Sequence, residues 1–252
     1  MTVIGAINGL ICLSKPSYSD MSTIPPPHSM LPRLHYETSI RFGFDPKTDD
    51  YKLVKLTGLR DTANCFGSVK EWVQVEVYSM RKKSWEFITQ PFPSYITRIK
   101  NNDYLCVDGH DGHLHWENKI EETIVAFDLG SETFREILLP DSILDSNHRF
   151  HRLVVLDGKL CEISCRYDGA WEVWVMEEYG VPQSWVKRHV FPKFTFASWR
   201  LPFGFTSHNE LLHVDEHAQL VLYDLVANKT KLTPKKQIAN KIVEYVDSLV
   251  WV

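Results

Sequence analysis

The sequence of 252 residues has no apolar run that approaches the roughly 20 residues needed for a membrane-spanning helix. Its apolar segment 3–13 comes without a basic leader or a small-residue cleavage pattern, which predicts a strand and not a secretory signal. The motifs H-E-x-x-H, G-x-G-x-x-G and G-x-S-x-G are also missing, as is the P-loop. We therefore name no catalytic residue and expect no cofactor, no membrane partner and no enzymatic activity.

Neither sign of charge dominates the composition. Lys and Arg number 28 against 32 Asp and Glu, which gives a formal net charge of −4. This balance does not favour a polyanionic partner, because proteins that bind nucleic acid usually carry a basic excess or a basic face. We expect no nucleic-acid binding.

Cysteine is scarce and odd in number. Most of the five cysteines lie within apolar strand patterns, which is typical of reduced, buried thiols in a cytoplasmic or nuclear protein. Cys161 and Cys165 have the spacing C-x3-C without a second pair. Because residues four apart share one face of a strand, this spacing favours packing over a zinc site.

A strand-turn-strand pattern recurs four times along the chain. The clearest copy, 124–140, has alternating apolar residues, a turn around Gly130 and a return strand. The other copies lie at 75–88, 173–191 and 220–232. The residues that mark the return strands are Trp85, Phe134, Trp185 and Leu232, at intervals of 49, 51 and 47. A period near 50 indicates repeated β-sheet units of propeller type.

A second hairpin precedes three of these copies, with turns predicted at 108–112, Asp157-Gly158 and His208-Asn209. Two hairpins in series make a four-stranded antiparallel unit, the blade of a β-propeller. The sequence therefore predicts an all-β fold, a β-propeller-like array of four-stranded antiparallel units. A final strand predicted at 243–252 can complete a sheet begun by the N-terminus, as ring closure requires, and the alternative is an incomplete ring. Helix is expected only as a turn or two, at 140–148 or 234–242.

Three variable loops are predicted, at about 14–39, 57–70 and 141–151. Such loops carry recognition while a repeated scaffold carries stability. Trp and Arg are enriched in binding hot spots. The candidate target-binding residues lie in or beside predicted loops: His148, Arg149, Trp199 and Arg200.

One dense polar cluster stands out from the repeats. It contains Asp108, His110, Asp111, His113, His115 and Glu117. Imidazole and carboxylate groups suit zinc or manganese, so an alternative function is a propeller-type carbohydrate- or metal-binding enzyme with its site at 108–117. The glycines within the cluster indicate a turn, and we favour a solvated hairpin tip without a metal.

The blocks of sequence also resemble a known family in their order. NGLICL, FGFDPKTDDYKLVKL, VEVYSMRKKSWEFI, DGHLHW, IVAFDLGSETFREILLP and YVDSLVWV follow one another in the chain. Together they resemble the F-box-associated domain of plant F-box proteins, including the kelch-like and S-locus members. The resemblance runs from about Asn8 to Val252 and implies one domain over 1–252.

In that family an N-terminal F-box docks on the Skp adaptor of a cullin ubiquitin ligase, of the SCF type, and the associated domain holds the protein to be ubiquitinated. The resemblance therefore implies a non-catalytic protein-binding module whose partner is a ubiquitination target. This chain resembles the family from its NGL strand onward, so we expect it to lack the F-box. Binding of a Skp-type adaptor is expected only if an F-box lies upstream.

Overall fold

The computed structural model describes residues 2–8, 10–14, 36–61, 69–99, 111–118, 122–145, 148–191, 202–215, 217, 219–227 and 229–236. Within these ranges the chain forms seventeen strands, one α-helical turn, α1 (Asp141–Leu144), and one 3-10 turn (Pro182–Ser184). The strands are β1 Thr2–Ile7, β2 Leu10–Ser14, β3 Tyr36–Asp45, β4 Asp50–Arg60, β5 Val69–Ser79, β6 Ser84–Phe87, β7 His113–Glu117, β8 Thr123–Asp128, β9 Thr133–Leu138, β10 His148–Leu156, β11 Lys159–Arg166, β12 Trp171–Met176, β13 Trp185–Phe191, β14 Gly204–Phe205, β15 Glu210–Val214, β16 Gln219–Asp224 and β17 Lys229–Lys236. None of the helical segments in the described ranges has the length and apolar character to cross a membrane.

The strands form antiparallel sheets in chain order. Three sheets have four strands each, β3–β6, β10–β13 and β14–β17, and two smaller sheets contain β7–β9 and β1–β2. This arrangement confirms the predicted fold class, an all-β, propeller-like array of two-hairpin units. The strand predicted to precede β7, near 104–109, and the closing strand at 243–252 lie outside the described residues.

The same left-handed backbone conformation recurs in several of the hairpin turns. In the turns before β4, β6 and β9, the residue before the return strand has a left-handed backbone: Asp49, Lys83 and Glu132, with φ of 52°, 56° and 57°. Asp157 and Gly158 have φ of 50° and 67°, as a two-residue hairpin turn requires. The left-handed residues allow each return strand to pair directly with the strand before it.

The described residues group into two compact units. The first holds β1–β8 and β9 as far as Glu136, and the second begins at Ile137 and holds α1 and β10–β17. In the first unit, one face of the β3–β6 sheet packs on β7–β9 through Val54, Leu56, Val77, Leu114, Trp116, Phe127 and Phe134. Its other face packs on β1 and β2 through Phe42, Leu53, Tyr78, Trp85, Ile7 and Leu10. The β3–β6 sheet is therefore covered on both faces.

One buried lysine joins two sheets of the first unit. The Nζ of Lys52 on β4 donates to the backbone oxygen of Leu129, 2.6 Å away, in the β8–β9 turn. The same Nζ lies 3.3 Å from Asp45 Oδ2 and 3.3 Å from Glu132 Oε1. Two sheets are thus connected by one cation with three oxygen partners.

In the second unit, the β10–β13 and β14–β17 sheets share one core. It includes Val154, Ile163, Trp171, Val173, Phe191, Leu211 and Tyr223. Cys161 belongs to the same core and Cys165 packs against it, which confirms the packing role predicted from their spacing. Burial raises the pKa of the Cys161 thiol to about 12, so this thiol is protonated at neutral pH.

The aromatic series occupies equivalent places in three sheets. Trp85, Phe134 and Trp185 are 8%, 8% and 7% exposed, in agreement with the predicted packing role. The indole Nε1 of Trp185 also donates to the backbone oxygen of Leu138, 3.0 Å away. Leu232, the fourth member, pairs with Val221 in the β16–β17 ladder.

The predicted loop boundaries were too wide. Residues 57–60 continue β4 and Val69 begins β5, so both ends of the predicted loop at 57–70 are strand, while 62–68 lie outside the described residues. Ser14 belongs to β2 and 36–39 to β3, while 15–35 lie outside the described residues. The polar side chains in these segments suggested loops, but their backbone groups have ladder partners in neighbouring strands, which outweigh local composition.

Candidate target-binding surface

The structure describes two of the four residues predicted to bind a target. Trp199 and Arg200 lie outside the described residues. His148 and Arg149 were predicted in a loop at 141–151, but they begin strand β10, and 141–144 form the turn α1. The strand forms because β10 pairs with β11, which places His148 opposite Arg166.

The register places three chain segments at one end of the β10–β13 sheet. The start of β10 lies beside Arg166, and the β11–β12 turn at 167–170 follows directly. At the same end, Phe191 at the end of β13 lies opposite Trp171 at the start of β12. We call the start of β10, the turn 167–170 and the end of β13 the Tyr167 end.

Tyr167 is the prominent side chain of the Tyr167 end, with 65% of its surface exposed. The turn beneath it is closed by a hydrogen bond from the Arg166 backbone N–H to the Ala170 oxygen, 2.8 Å, and Gly169 has φ of 87°. The Asp168 carboxylate accepts a further bond from the Ala170 N–H, 2.9 Å. A rigid turn therefore presents an exposed aromatic ring. Sequence reasoning missed Tyr167, although Tyr-Asp-Gly between two apolar strands was a signal for an aromatic turn tip.

A buried carboxylate holds the basic side chains near the Tyr167 end. Glu172 is 2% exposed and accepts hydrogen bonds from Trp174 Nε1 at 3.1 Å and from Lys187 Nζ at 2.9 Å. Arg166 Nη1 lies 3.5 Å from the same carboxylate, while its Nη2 lies 3.1 Å from Asp168 Oδ2. These two contacts fix Arg166 beside Tyr167.

In the described part of the polar cluster, Asp111 is exposed, as predicted for a hairpin tip, but His115 on β7 is buried, which the prediction missed. His115 is only 2% exposed because β7 pairs with β8 on one side and contacts β3 as well. His113 Nδ1 lies 2.7 Å from the Asp111 backbone oxygen, and its Nε2 lies 3.5 Å from Asp128 Oδ2. Asp108 and His110 lie outside the described residues.

The described members of that cluster do not form a metal-ligand set of their own. Of Asp111, His113, His115 and Glu117, no three bring ligand atoms within 4.8 Å of one another. Burial lowers the pKa of His113, against the Asp111 carbonyl and the Asp128 charge, which raise it. These observations favour a structural role for His113 at the turns.

The Asp128 carboxylate makes the stability of the β8–β9 turn sensitive to acid. Burial raises the pKa of Asp128, but the N–H groups of Ser131 and Gly130 and the Lys47 ammonium outweigh it and lower the pKa to about 2. A depressed pKa stabilises the fold above the unfolded value near 3.8, and that stability is lost as the pH falls toward 2.

We expect the Asp128→Asn substitution to flatten the pH dependence of stability between about pH 4 and pH 2. The asparagine retains an oxygen for the turn amides but does not titrate. Denaturant midpoints of both proteins, measured from pH 2 to pH 6, check this. Parallel curves throughout that range would contradict the assignment.

Comparisons with known proteins agree with this architecture. The sequence profile of the F-box associated β-propeller domain matches residues 1–249. F-box protein CPR1 of Arabidopsis thaliana is 28% identical over 259 residues, covering 90% of this chain and 62% of that protein. The Arabidopsis thaliana F-box/kelch-repeat protein At3g23880 is 28% identical over 206 residues, covering 77% of this chain and 53% of the relative.

Among solved structures, the chain is similar to the β-propeller domain of Cps50 (Swd1) from Myceliophteria thermophila. That similarity has a TM-score of 0.32 and 9% identity, and it covers 84% of this chain and 88% of the other. The chain spans about half to three fifths of the length of the curated F-box relatives that it matches. Because the profile covers nearly every residue, the chain belongs to the F-box associated β-propeller domain family.

Proposed function

We propose that this domain is the substrate-recognition module of an F-box subunit in an SCF-type ubiquitin ligase. It binds a target protein and supplies no catalytic group. The observation that carries the proposal is the family match over 1–249 together with relatives that are F-box proteins. The proposal includes a cytoplasmic or nuclear location, which a fluorescent fusion would test.

On this proposal the domain acts by positioning its target protein. A target held on the domain has a high effective concentration near the ubiquitin-charged enzyme of the ligase, and transfer is accelerated without chemistry on this chain. Adaptor binding belongs to the F-box segment of the whole protein. The domain therefore decides which protein is modified, while other subunits carry out the transfer.

The Tyr167 end is the surface we assign to target binding. Aromatic and arginine side chains dominate binding hot spots, and Tyr167 and Arg166 are adjacent there. The Glu172 and Asp168 carboxylates hold Arg166 in place, so little of its side-chain entropy is lost on binding. His148 and Arg149, the first two residues of β10, remain predicted target-binding residues.

The test of the proposed function uses the full chain in two forms, alone and joined behind the F-box segment of F-box protein CPR1. Proteins that cross-link to both forms in plant extract are candidate targets. A reconstituted Skp-cullin ligase should ubiquitinate such a target only with the F-box-joined form, and the chain alone should compete. Equal ubiquitination with and without the F-box-joined chain would overturn the proposal.

Replacing Tyr167 with alanine should weaken binding of that target about tenfold or more, because an exposed aromatic anchor is removed. The folded state should be almost unaffected, since surface substitutions usually change stability by less than about 0.5 kcal/mol. Val226→Ala is the matched control, because Val226 is 96% exposed in the β16–β17 turn. Isothermal titration of the target into wild type, Tyr167→Ala and Val226→Ala measures the effect. Equal affinities of the three proteins for the target would show that Tyr167 is not in the interface.

A further inference from the structure

The outer strand of the β10–β13 sheet carries a run of basic side chains. Lys187, Arg188 and His189 follow one another on β13, between the exposed apolar residues Val186 and Val190. β13 pairs with β12 on one side and is the last strand in the order of this sheet. Residues 186–190 therefore form an exposed sheet edge, which we call the β13 edge.

Glu172 is shared by two cations beside this edge. Lys187 Nζ and Arg166 Nη1 lie 2.9 and 3.5 Å from the same oxygen, Glu172 Oε1. Lys187 Nζ also lies 5.0 Å from the centroid of the Trp174 ring. The Glu172 side chain is 2% exposed, whereas those of Lys187 and Arg166 are 39% and 41% exposed. A partner therefore meets the two cations and not the carboxylate beneath them.

Glu177, directly after β12, is shared in the same way. Arg188 Nε lies 2.7 Å from Glu177 Oε1, and the Lys159 ammonium bonds the other oxygen of this carboxylate. Bonds from Lys159 and Arg188 lower the pKa of Glu177, so it is ionised at neutral pH. Burial and the charge of Arg188 lower the pKa of His189, which agrees with positive charge around this part of β13.

The charges that contact one another at this edge do not balance. A third carboxylate, Asp168, lies 3.1 Å from Arg166 Nη2. Three carboxylates therefore contact four cations, which are Lys159, Arg166, Lys187 and Arg188. The whole chain has a formal net charge of −4, so the β13 edge is opposite in sign to the chain as a whole. Surface charge of this kind attracts and orients a partner of opposite charge.

The β13 edge is continuous with the Tyr167 end. Val190 lies opposite Glu172, one position along from the pair of Phe191 and Trp171 at the Tyr167 end. Arg166, which contacts Glu172, also precedes Tyr167 in the chain. A target anchored on Tyr167 thus has the β13 edge beside it.

An acidic protein segment fits this edge better than a nucleic acid does. The Asp168 and Glu177 side chains are 56% and 26% exposed, so they interrupt the basic surface. They would repel the evenly spaced charges of a phosphate backbone. A protein segment can instead place its carboxylates opposite Lys187 and Arg188 and an apolar side chain against Val190.

We propose that the β13 edge binds an acidic segment of the target protein. Asp or Glu side chains of that segment contact Lys187 and Arg188, and an apolar side chain covers Val190. This inference rests on the proposed function and specifies the chemistry of the target. The Lys187 ammonium has three donors, of which Glu172 accepts one, so donors remain for a second carboxylate.

Selection of a displayed library of random peptides on the full chain tests this without a variant. The enriched peptides should carry a net negative charge and at least one apolar residue. Binding of the most enriched peptide should weaken between about 0.01 M and about 0.15 M NaCl, because the screening length falls from about 30 Å to about 8 Å. Enrichment of neutral or basic peptides would overturn the inference, as would tighter binding of a dT oligonucleotide of equal length.

Variants then locate the site. Lys187→Gln and Arg188→Gln should each weaken binding of the enriched peptide about two- to fivefold. Lys187→Arg, which keeps the charge, should retain most of the affinity. Lys231→Gln is the matched control, because Lys231 is 62% exposed and paired with Glu210 in the same compact unit. Fluorescence titration measures the affinities, thermal unfolding checks that each variant is folded, and equal affinities of all variants would contradict the assignment.

The outcomes separate this inference from the proposed function. If both glutamine variants bind and ubiquitinate a captured target as the wild type does, the β13 edge alone is ruled out. If peptide binding depends on Lys187 and Arg188 but the F-box-joined chain ubiquitinates no bound protein, the edge is supported and the proposed function is ruled out.

Discussion

Replacing Lys52 with methionine is expected to lower the free energy of unfolding by about 3–5 kcal/mol. The Lys52 side chain is 7% exposed and the Asp45 side chain 1% exposed, so the substitution leaves a buried carboxylate without its cation. It also removes the donor from the Leu129 carbonyl. Equilibrium unfolding in urea, at constant pH and with both unfolding slopes compared, measures the loss.

Lys47→Met is the matched control for this experiment. Lys47 Nζ lies 3.1 Å from Asp128 Oδ2, but its side chain is 66% exposed, and exposed pairs contribute about 0–1 kcal/mol. Adding Asp45→Asn to Lys52→Met should restore part of the stability, because the uncompensated charge is then gone. Similar losses for Lys47→Met and Lys52→Met would show that burial does not set the strength of this contact.

The stability contributed by the Lys52–Asp45 ion pair depends on pH in a defined direction. Burial raises the pKa of Asp45, but bonds from the Thr48 hydroxyl, the Lys47 amide and the Lys52 ammonium outweigh it and lower the pKa below 3.8. The stabilising contribution is therefore present above about pH 4 and is lost at lower pH. The stability difference between wild type and Lys52→Met should narrow as the pH falls below that value.

Truncating Phe134 to alanine should cost about 3–5 kcal/mol of folding free energy. Its ring centroid lies 4.7 Å from that of Phe127, 5.2 Å from Phe92 and 6.2 Å from Trp116, in tilted and edge-on arrangements. Removing the ring leaves a cavity among three other large side chains. The shared rings also predict that Phe134→Ala and Phe92→Ala will be non-additive in a double-mutant cycle.

Leu138→Ala is the control for Phe134→Ala, since both residues lie on β9 and Leu138 is 54% exposed. We expect a change within about 0.5 kcal/mol for Leu138→Ala. Phe134→Leu, which keeps most of the apolar volume, should fall between the two. Thermal or denaturant unfolding of the three variants checks this order, and a Leu138→Ala loss as large as that of Phe134→Ala would contradict it.

The sheets and most turns could be predicted from sequence because their signals are local. Alternating apolar residues and Asp157-Gly158 each fix a hairpin within a few residues of the chain, and the period near 50 shows that these local signals repeat. The start of β10 could not be predicted in this way. His148 pairs with Arg166, and the polar residues before Leu153 carry no signal of that partner.

The burial of several polar side chains also could not be predicted from the sequence. Lys55 on β4 and Glu76 on β5 lie opposite each other, with Lys55 Nζ 3.0 Å from Glu76 Oε2. Their side chains are only 6% and 0% exposed. Alternation suggested that such residues face water, but a sheet covered on both faces buries them all the same. Arg41 and His115 were hidden for the same reason, because burial depends on which sheet packs above a strand.

The Lys52 contact also has a consequence for synthesis of the protein. Its backbone acceptor, Leu129, lies 77 residues further along the chain. At about 5–20 residues per second, a ribosome needs roughly 4–15 s to make that span. In the part of this interval after Phe87 is made, the β3–β6 sheet is complete, but the Leu129 carbonyl that accepts from Lys52 does not yet exist, and the sheet face that packs on β7–β9 is uncovered. Chaperone binding to stalled chains should therefore be strongest when the exposed nascent segment ends between residues 90 and 129.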